Sequence, residues 1–149
     1  MIKAGIIGGA GYTAGELIRL LLNHEEVTID FVFSTSNAGN PVSHVHQDLT
    51  GSTNLVFTNT VNTGVDVVFL CLGHGNSKAF LNANTFENHT KIIDLSNDFR
   101  LEADAVLNGK HFVYGLPELY SDSIKTSNYI ATPGCFATAI QLALLPLAK

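Results

Sequence analysis

The run Ala131-Thr132-Pro133-Gly134-Cys135-Phe136-Ala137-Thr138-Ala139 sets a thiol directly after a Pro-Gly turn, at the head of the apolar run 136–145. That spacing predicts a helix with Cys135 in its first turn. The unpaired N–H groups and positive dipole end of such a turn favour thiolate over thiol, and the same N–H groups can receive a developing oxyanion. Nucleophilic attack on an acyl carbon is the chemistry this suits. An isolated Pro-Gly-Cys equally suits a small cysteine packed at a helix start, so the rest of the chain has to decide. A second constellation does so. Gly8-Gly9-Ala10-Gly11-Tyr12-Thr13-Ala14-Gly15 reads as G-x-G-x-x-A from Gly9 or G-x-x-G-x-x-x-G from Gly8. It stands between a strand pattern and a helical one, the setting in which a glycine turn admits a dinucleotide pyrophosphate. Gly8, Gly9, Gly11, Tyr12, Thr13 and Ala14 are the expected cofactor contacts.

The elements that must position these residues are legible as alternating patterns. Strands are expected over 2–7, 27–33, 65–72, 91–95 and 129–131, and helices over 13–22 and from about 77 to 86. Residues 34–53 form a polar loop with Gly39, Pro41 and Gly51, long enough to suggest a binding role. The alternation predicts an α/β domain with a Rossmann-like, doubly wound, mostly parallel sheet.

In that fold, His74 and Gly75 follow a strand's carboxyl end and are expected to touch the cofactor, with a loop-capping role the alternative for His74. An acid at the tip of the second strand would hold a ribose 2′-hydroxyl. Here the tip is Ser34-Thr35-Ser36, and Asp30 lies mid-strand and faces solvent. Ser34 and Ser36 therefore favour NADP over NAD. Arg100 carries a planar fork suited to a substrate phosphate or carboxylate, with an ion pair to Asp98 or Asp94 equally open. Ser96 reads as a substrate-pocket residue or an N-cap.

Bulk properties narrow the class. The chain has 149 residues, 46% of them hydrophobic, enough for one domain with a proper core. A formal net charge of −5 argues against nucleic-acid or anionic-membrane partners. No apolar run reaches the roughly 18 residues of a membrane span, and the N-terminus reads as a strand, not a signal peptide. Two cysteines are too few for a disulfide framework and fit a reducing, cytoplasmic setting. Of six histidines only His44-x-His46 has ligand-like proximity, so no metal is expected. The run 142–149 stops in mid-pattern, which leads us to expect part of a longer protein.

With both constellations in place, the chain resembles the N-acetyl-gamma-glutamyl-phosphate reductases of arginine biosynthesis, relatives of the aspartate-semialdehyde dehydrogenases. The resemblance rests on Gly11-Tyr12-Thr13-Ala14-Gly15-Glu16-Leu17, Cys71-Leu72-Gly73-His74-Gly75, Asp94-Leu95-Ser96-Asn97-Asp98-Phe99-Arg100, Tyr114-Gly115-Leu116-Pro117-Glu118-Leu119 and Pro133-Gly134-Cys135. It departs at Ala14-Gly15, where Gly-Ala is common, at Gly73, where proline is usual, and at Thr132, where asparagine is frequent. The resemblance implies NADPH-dependent reduction of an N-acylated glutamyl γ-phosphate, with Cys135 as nucleophile. It also implies a second domain, absent here, that supplies a catalytic histidine, part of the substrate pocket and the interface of a homo-oligomer. Residues 1–149 alone are then expected to bind cofactor without turnover. Aspartate-semialdehyde dehydrogenase, or a non-catalytic NADP-binding module, are the alternatives.

Overall fold

The computed structural model describes residues 1–148. Strands β1 (Ile2–Ile7), β2 (Val27–Phe33), β3 (Phe57–Thr58), β4 (Val67–Leu70) and β5 (Lys91–Asp94) are followed by the short pair β6 (Val106–Leu107) and β7 (Lys110–His111). Then come β8 (Val113–Tyr114) and β9 (Tyr129–Ala131). The helices are α1 (Tyr12–Leu21), α2 (Ser77–Ala83), α3 (Pro117–Thr126) and α4 (Cys135–Leu144). Seven strands form one sheet in the order β3-β2-β1-β4-β5-β9-β8, and every pair in it is parallel. The chain order reverses between β1 and β4. Open parallel sheets bind ligands at such a switch point, beyond the carboxyl ends of the strands.

Side chains alternate across this sheet as the strand period requires. Ile6 and Val32 point to one core with Ala14, Ile18 and Leu21 of α1, while their neighbours Ile7 and Phe31 point to the other with Val68, Leu70 and Ile92. Burial on both faces is why these strands read as continuous apolar runs. The expected β4 and α2 were too long. Val65 and Phe86 are buried but lie outside the regular elements, because core packing extends past the hydrogen-bonded ladder.

Three features went unread. The loop 34–53 is no open strap: it folds into two short 3-10 turns, Val42–His44 and Gln47–Leu49, that bury Val42 and Leu49 beside α1. The β6–β7 hairpin turns at Asn108 and Gly109, with φ of 50° and 75°. Helix α3 starts with Pro117 in its first turn and kinks at Tyr120 (φ −123°, ψ 26°).

Candidate active site

The glycine turn leaves β1 at the switch point. Gly8 has φ +77°, and a Cβ there would lie 2.6 Å from the Cys71 carbonyl oxygen of β4's exit, so no other residue fits without moving a strand end. Gly9 donates its N–H to Phe33 O (2.9 Å) and packs its bare Cα against Val32. Gly11 then caps α1 with no side-chain partner, and the first turn of the helix holds no acidic residue. Gly11, Tyr12 and Thr13 are exposed; Ala14 is buried and carries the turn on the core. An uncapped, acid-free first turn with its N–H groups open to solvent fits a diphosphate.

At the tip of β2, Ser34 is buried and Ser36 exposed. The Asn37 amide donates to both hydroxyls at 3.1 Å. This residue was not singled out from the sequence, yet it organises a tip without carboxylates that suits a 2′-phosphate. Asp30 faces solvent within β2 and accepts the Asn62 amide at 2.9 Å.

Across the switch point, the segment after β4 is tied to the one after β5. His74 is exposed, and its Nδ1 accepts the Asn97 N–H at 3.1 Å, which leaves Nε2 to carry the proton. Asp98 accepts the backbone N–H groups of Gly75 (2.6 Å), Ser77 (3.0 Å) and Lys78 (3.2 Å) and so caps α2 from a distant segment. Burial alone would push the Asp98 carboxyl up, but these three N–H donors hold it below the ordinary aspartate value. Gly75 is expected to touch the cofactor, and its N–H is committed to Asp98. Gly75 itself has φ +84° and open space around it.

Behind this lies Asp94, fully buried at the end of β5. It accepts the hydroxyls of Ser77 (2.5 Å) and Ser96 (2.7 Å), and burial pushes its carboxyl up despite them. Of the two roles open to Ser96, pocket residue or cap, the geometry shows the capping one. Ser96 is 0% exposed, donates to Asp94 and accepts the Asp98 N–H, so its hydroxyl is an internal joint, not a pocket wall.

Arg100 likewise forms neither expected ion pair, since both carboxylates are engaged elsewhere. Its Nε donates to Thr132 O (2.8 Å) and its Nη2 to Leu95 O (2.9 Å). A Cβ added at Gly134 would lie 3.0 Å from Nη1, so the guanidinium runs under the Pro-Gly turn that presents Cys135. Thr132 adds a second brace, giving both its N–H (2.8 Å) and its hydroxyl (2.9 Å) to Asp94 O. Cys135 is the first residue of α4, exposed and free. Gly134 is the N-cap without a side-chain bond, so the N–H groups of the first turn are open beside the sulfur. Cys71, by contrast, is half-buried, and burial pushes its thiol up to about 12, with Asp94 adding to the shift.

Since β1, β4, β5 and β9 run parallel, the glycine turn, His74, Asp98 and Cys135 all stand at one end of the sheet. A surface hollow lies at the other end, lined by Met1, Ile2, Val27, Val67 and Lys91 among others. It lies away from every one of these groups and at the wrong end for a parallel sheet. Among the described residues no three His, Cys, Asp or Glu side chains are grouped to hold a metal. His44 is exposed and His46 buried.

Residues 3–127 match the family described as semialdehyde dehydrogenase, NAD binding domain. Over 149 residues the chain is 66% identical to the N-acetyl-gamma-glutamyl-phosphate reductase of Flavobacterium johnsoniae, covering all of this chain and 46% of that protein. It is 62% identical to the reductase of the same name from Christiangramia forsetii, covering 45% of it. The chain therefore spans less than half the length of these curated relatives. Among solved structures, aspartate semialdehyde dehydrogenase with NADP from Candida albicans is similar with a TM-score of 0.69 at 17% identity, over 99% of this chain and 46% of that one. At that identity the likeness shows the shared fold.

Proposed function

The chain belongs to the family of semialdehyde dehydrogenase NAD-binding domains, and on that premise we propose that the whole protein is an NADPH-dependent acyl-phosphate reductase. Its substrate is N-acetyl-L-glutamyl 5-phosphate, its products are N-acetyl-L-glutamate 5-semialdehyde and phosphate, and its role is in arginine biosynthesis. The observation that carries this reading is the exposed Cys135 at the open N-terminus of α4, at the same end of the sheet as an uncapped glycine turn. Identities of 66% and 62% to proteins bearing the reductase name support the choice of substrate.

The Cys135 thiolate attacks the acyl carbon, the C–O bond to phosphate breaks, and a thioester stays on the sulfur. Removing the phosphate dianion first divides one hard reduction into two easier steps. NADPH, when bound, supplies the hydride that reduces the thioester. The resulting thiohemiacetal on Cys135 then releases aldehyde and regenerates thiolate. First-turn N–H groups of α4 stabilise the oxyanion in both steps. Arg100 holds the Pro-Gly turn by its Nε and Nη2 edge, and its Nη1, beside Gly134, is the cationic group that would meet the leaving phosphate. The first turn of α1 binds the pyrophosphate, and Ser34, Ser36 and Asn37 accept the 2′-phosphate.

Residues 1–149 are, in this reading, the dinucleotide-binding part ending in the cysteine helix. No residue of α4 is buried and Phe136 is 80% exposed, as fits a helix that the rest of the polypeptide covers. That remainder would complete the substrate pocket, add the acid–base histidine and form a homo-oligomer in the cytoplasm. Among the described residues no helix is long and apolar enough to cross a membrane. The test is titration of the intact protein with NADPH and NADH by nicotinamide fluorescence, followed by turnover of glutamyl and aspartyl phosphates. Tighter binding of NADPH and turnover of the acetylated glutamyl phosphate are expected. Binding of neither dinucleotide, or turnover of aspartyl phosphate alone, overturns the proposal.

A further inference from the structure

We propose that His46 is a positioning residue of the dinucleotide site, clamping the glycine turn to the loop behind the β2 tip. This rests on the dinucleotide reading above. The His46 ring is buried, and its Nε2 lies 2.7 Å from the Gly9 carbonyl oxygen. A carbonyl only accepts, so Nε2 carries the hydrogen and donates. The ring lies on α1 at Gly15, where a Cβ would come within 2.5 Å of Nδ1, and its other neighbour is Phe57, at a centroid distance of 6.3 Å.

The peptide groups on either side of the Gly9 Cα are thereby both fixed: its N–H to Phe33 O on β2, its carbonyl to His46. Among the described residues His46 is the one side chain that hydrogen-bonds the turn, and it comes from the far part of the 34–53 loop. That loop is anchored by buried Val42 and Leu49 and begins at Ser34–Asn37, the ribose end of the site. One hydrogen bond therefore couples the surface for the pyrophosphate to the surface for the ribose phosphate. Without it the turn keeps its strand contact but loses its tie to the loop, and the first-turn N–H groups of α1 are no longer held in register with Ser34 and Ser36.

A histidine that merely fills space makes different predictions from one that donates. Phenylalanine keeps the packing on Gly15 and Phe57 but has no N–H. Glutamine places an N–H donor at nearly the same reach. In the intact protein, titrated with NADPH by nicotinamide fluorescence, His46→Phe is expected to weaken binding about tenfold, the loss of one buried hydrogen bond. His46→Gln is expected to bind within about threefold of the wild type, even where its melting temperature is lower than that of His46→Phe. Wild-type affinity in His46→Phe, or equal weakening in both variants, overturns the proposal.

Two measurements do not depend on dinucleotide binding. Long-range nitrogen–proton NMR of the unmodified protein should show His46 as the Nε2–H tautomer, and the Nδ1–H tautomer would refute the clamp. Amide exchange at Gly9 and Gly11 should quicken in His46→Phe and return towards the wild-type rate in His46→Gln. Unchanged exchange in His46→Phe would also refute it. If the unmodified protein binds neither NADPH nor NADH, the proposed function fails, and these two measurements still decide whether His46 holds the turn.

Discussion

Asp98 and Asp94 stand on one short segment, yet their surroundings drive their ionisation in opposite directions. Asp98 has three backbone N–H donors, and its folded-state pKa lies below the ordinary value near ~3.9. Such a group contributes stability above the unfolded pKa, and the contribution disappears as pH falls through the lower folded value. Asp98→Asn should therefore cost about 1–3 kcal/mol at neutral pH, with the difference closing in acid, measured by urea unfolding across pH. Asp94 has the opposite sign. Its raised pKa makes its contribution fullest below about 3.9 and progressively lost as pH rises through the folded value. The same pH series should show Asp94→Asn gaining on the wild type as pH rises; a gap that does not change with pH contradicts the burial account. Cys135 is exposed, so Cys135→Ser should leave the unfolding free energy within about 0.5 kcal/mol. Turnover by the same variant should fall by at least about a thousandfold.

At the scale of elements, the turns between strands and helices carry the site. Gly8→Ala would force an L-residue to φ +77° and push its Cβ into the Cys71 carbonyl. It should destabilise by about 2 kcal/mol or more and weaken NADPH binding, because the turn and the end of β4 must part. Melting and titration of this one variant check both effects. The sheet and the glycine turn were legible because local pattern dictates them: apolar runs, a glycine cluster, then helical spacing. What failed to show were contacts between segments far apart in sequence. Asp98 looked like a neighbour for Arg100, because adjacency along the chain suggests ion pairs, while its partners are the N–H groups of Gly75, just before α2, and of Ser77 and Lys78 in its first turn. Arg100 instead binds two carbonyls, a use that no spacing announces. In the sequence His46 stands out only through its spacing from His44, because its burial depends on how loop 34–53 folds back over α1. Other signals were present and unread. Asn108-Gly109 is the usual sequence of a tight hairpin turn, and Pro117-Glu118 marks a helix start.

The whole molecule has a finished face and an unfinished one. Ile92 and Ala131 are buried in the core, while Ile93 and Ile130, their neighbours on the opposite side of β5 and β9, are only half-covered. Helix α4 leaves Ile140, Leu142 and Leu144 exposed as well, and Leu147 just beyond it is exposed too. Patches of this kind mark interaction sites. Residues 1–149 alone should bind a hydrophobic dye, react with a thiol probe at Cys135, and show negligible reductase activity beside the intact protein. Robust turnover by that piece would mean that the remainder adds nothing to catalysis. Passage of the acyl group through a covalent bond to Cys135 is tested by mass spectrometry of the intact protein mixed with the acyl phosphate without NADPH. One acyl adduct is expected on the Cys135 peptide, lost in Cys135→Ser and discharged as aldehyde when NADPH is added. Steady turnover with Cys135 unmodified, or undiminished turnover by Cys135→Ser, would contradict it.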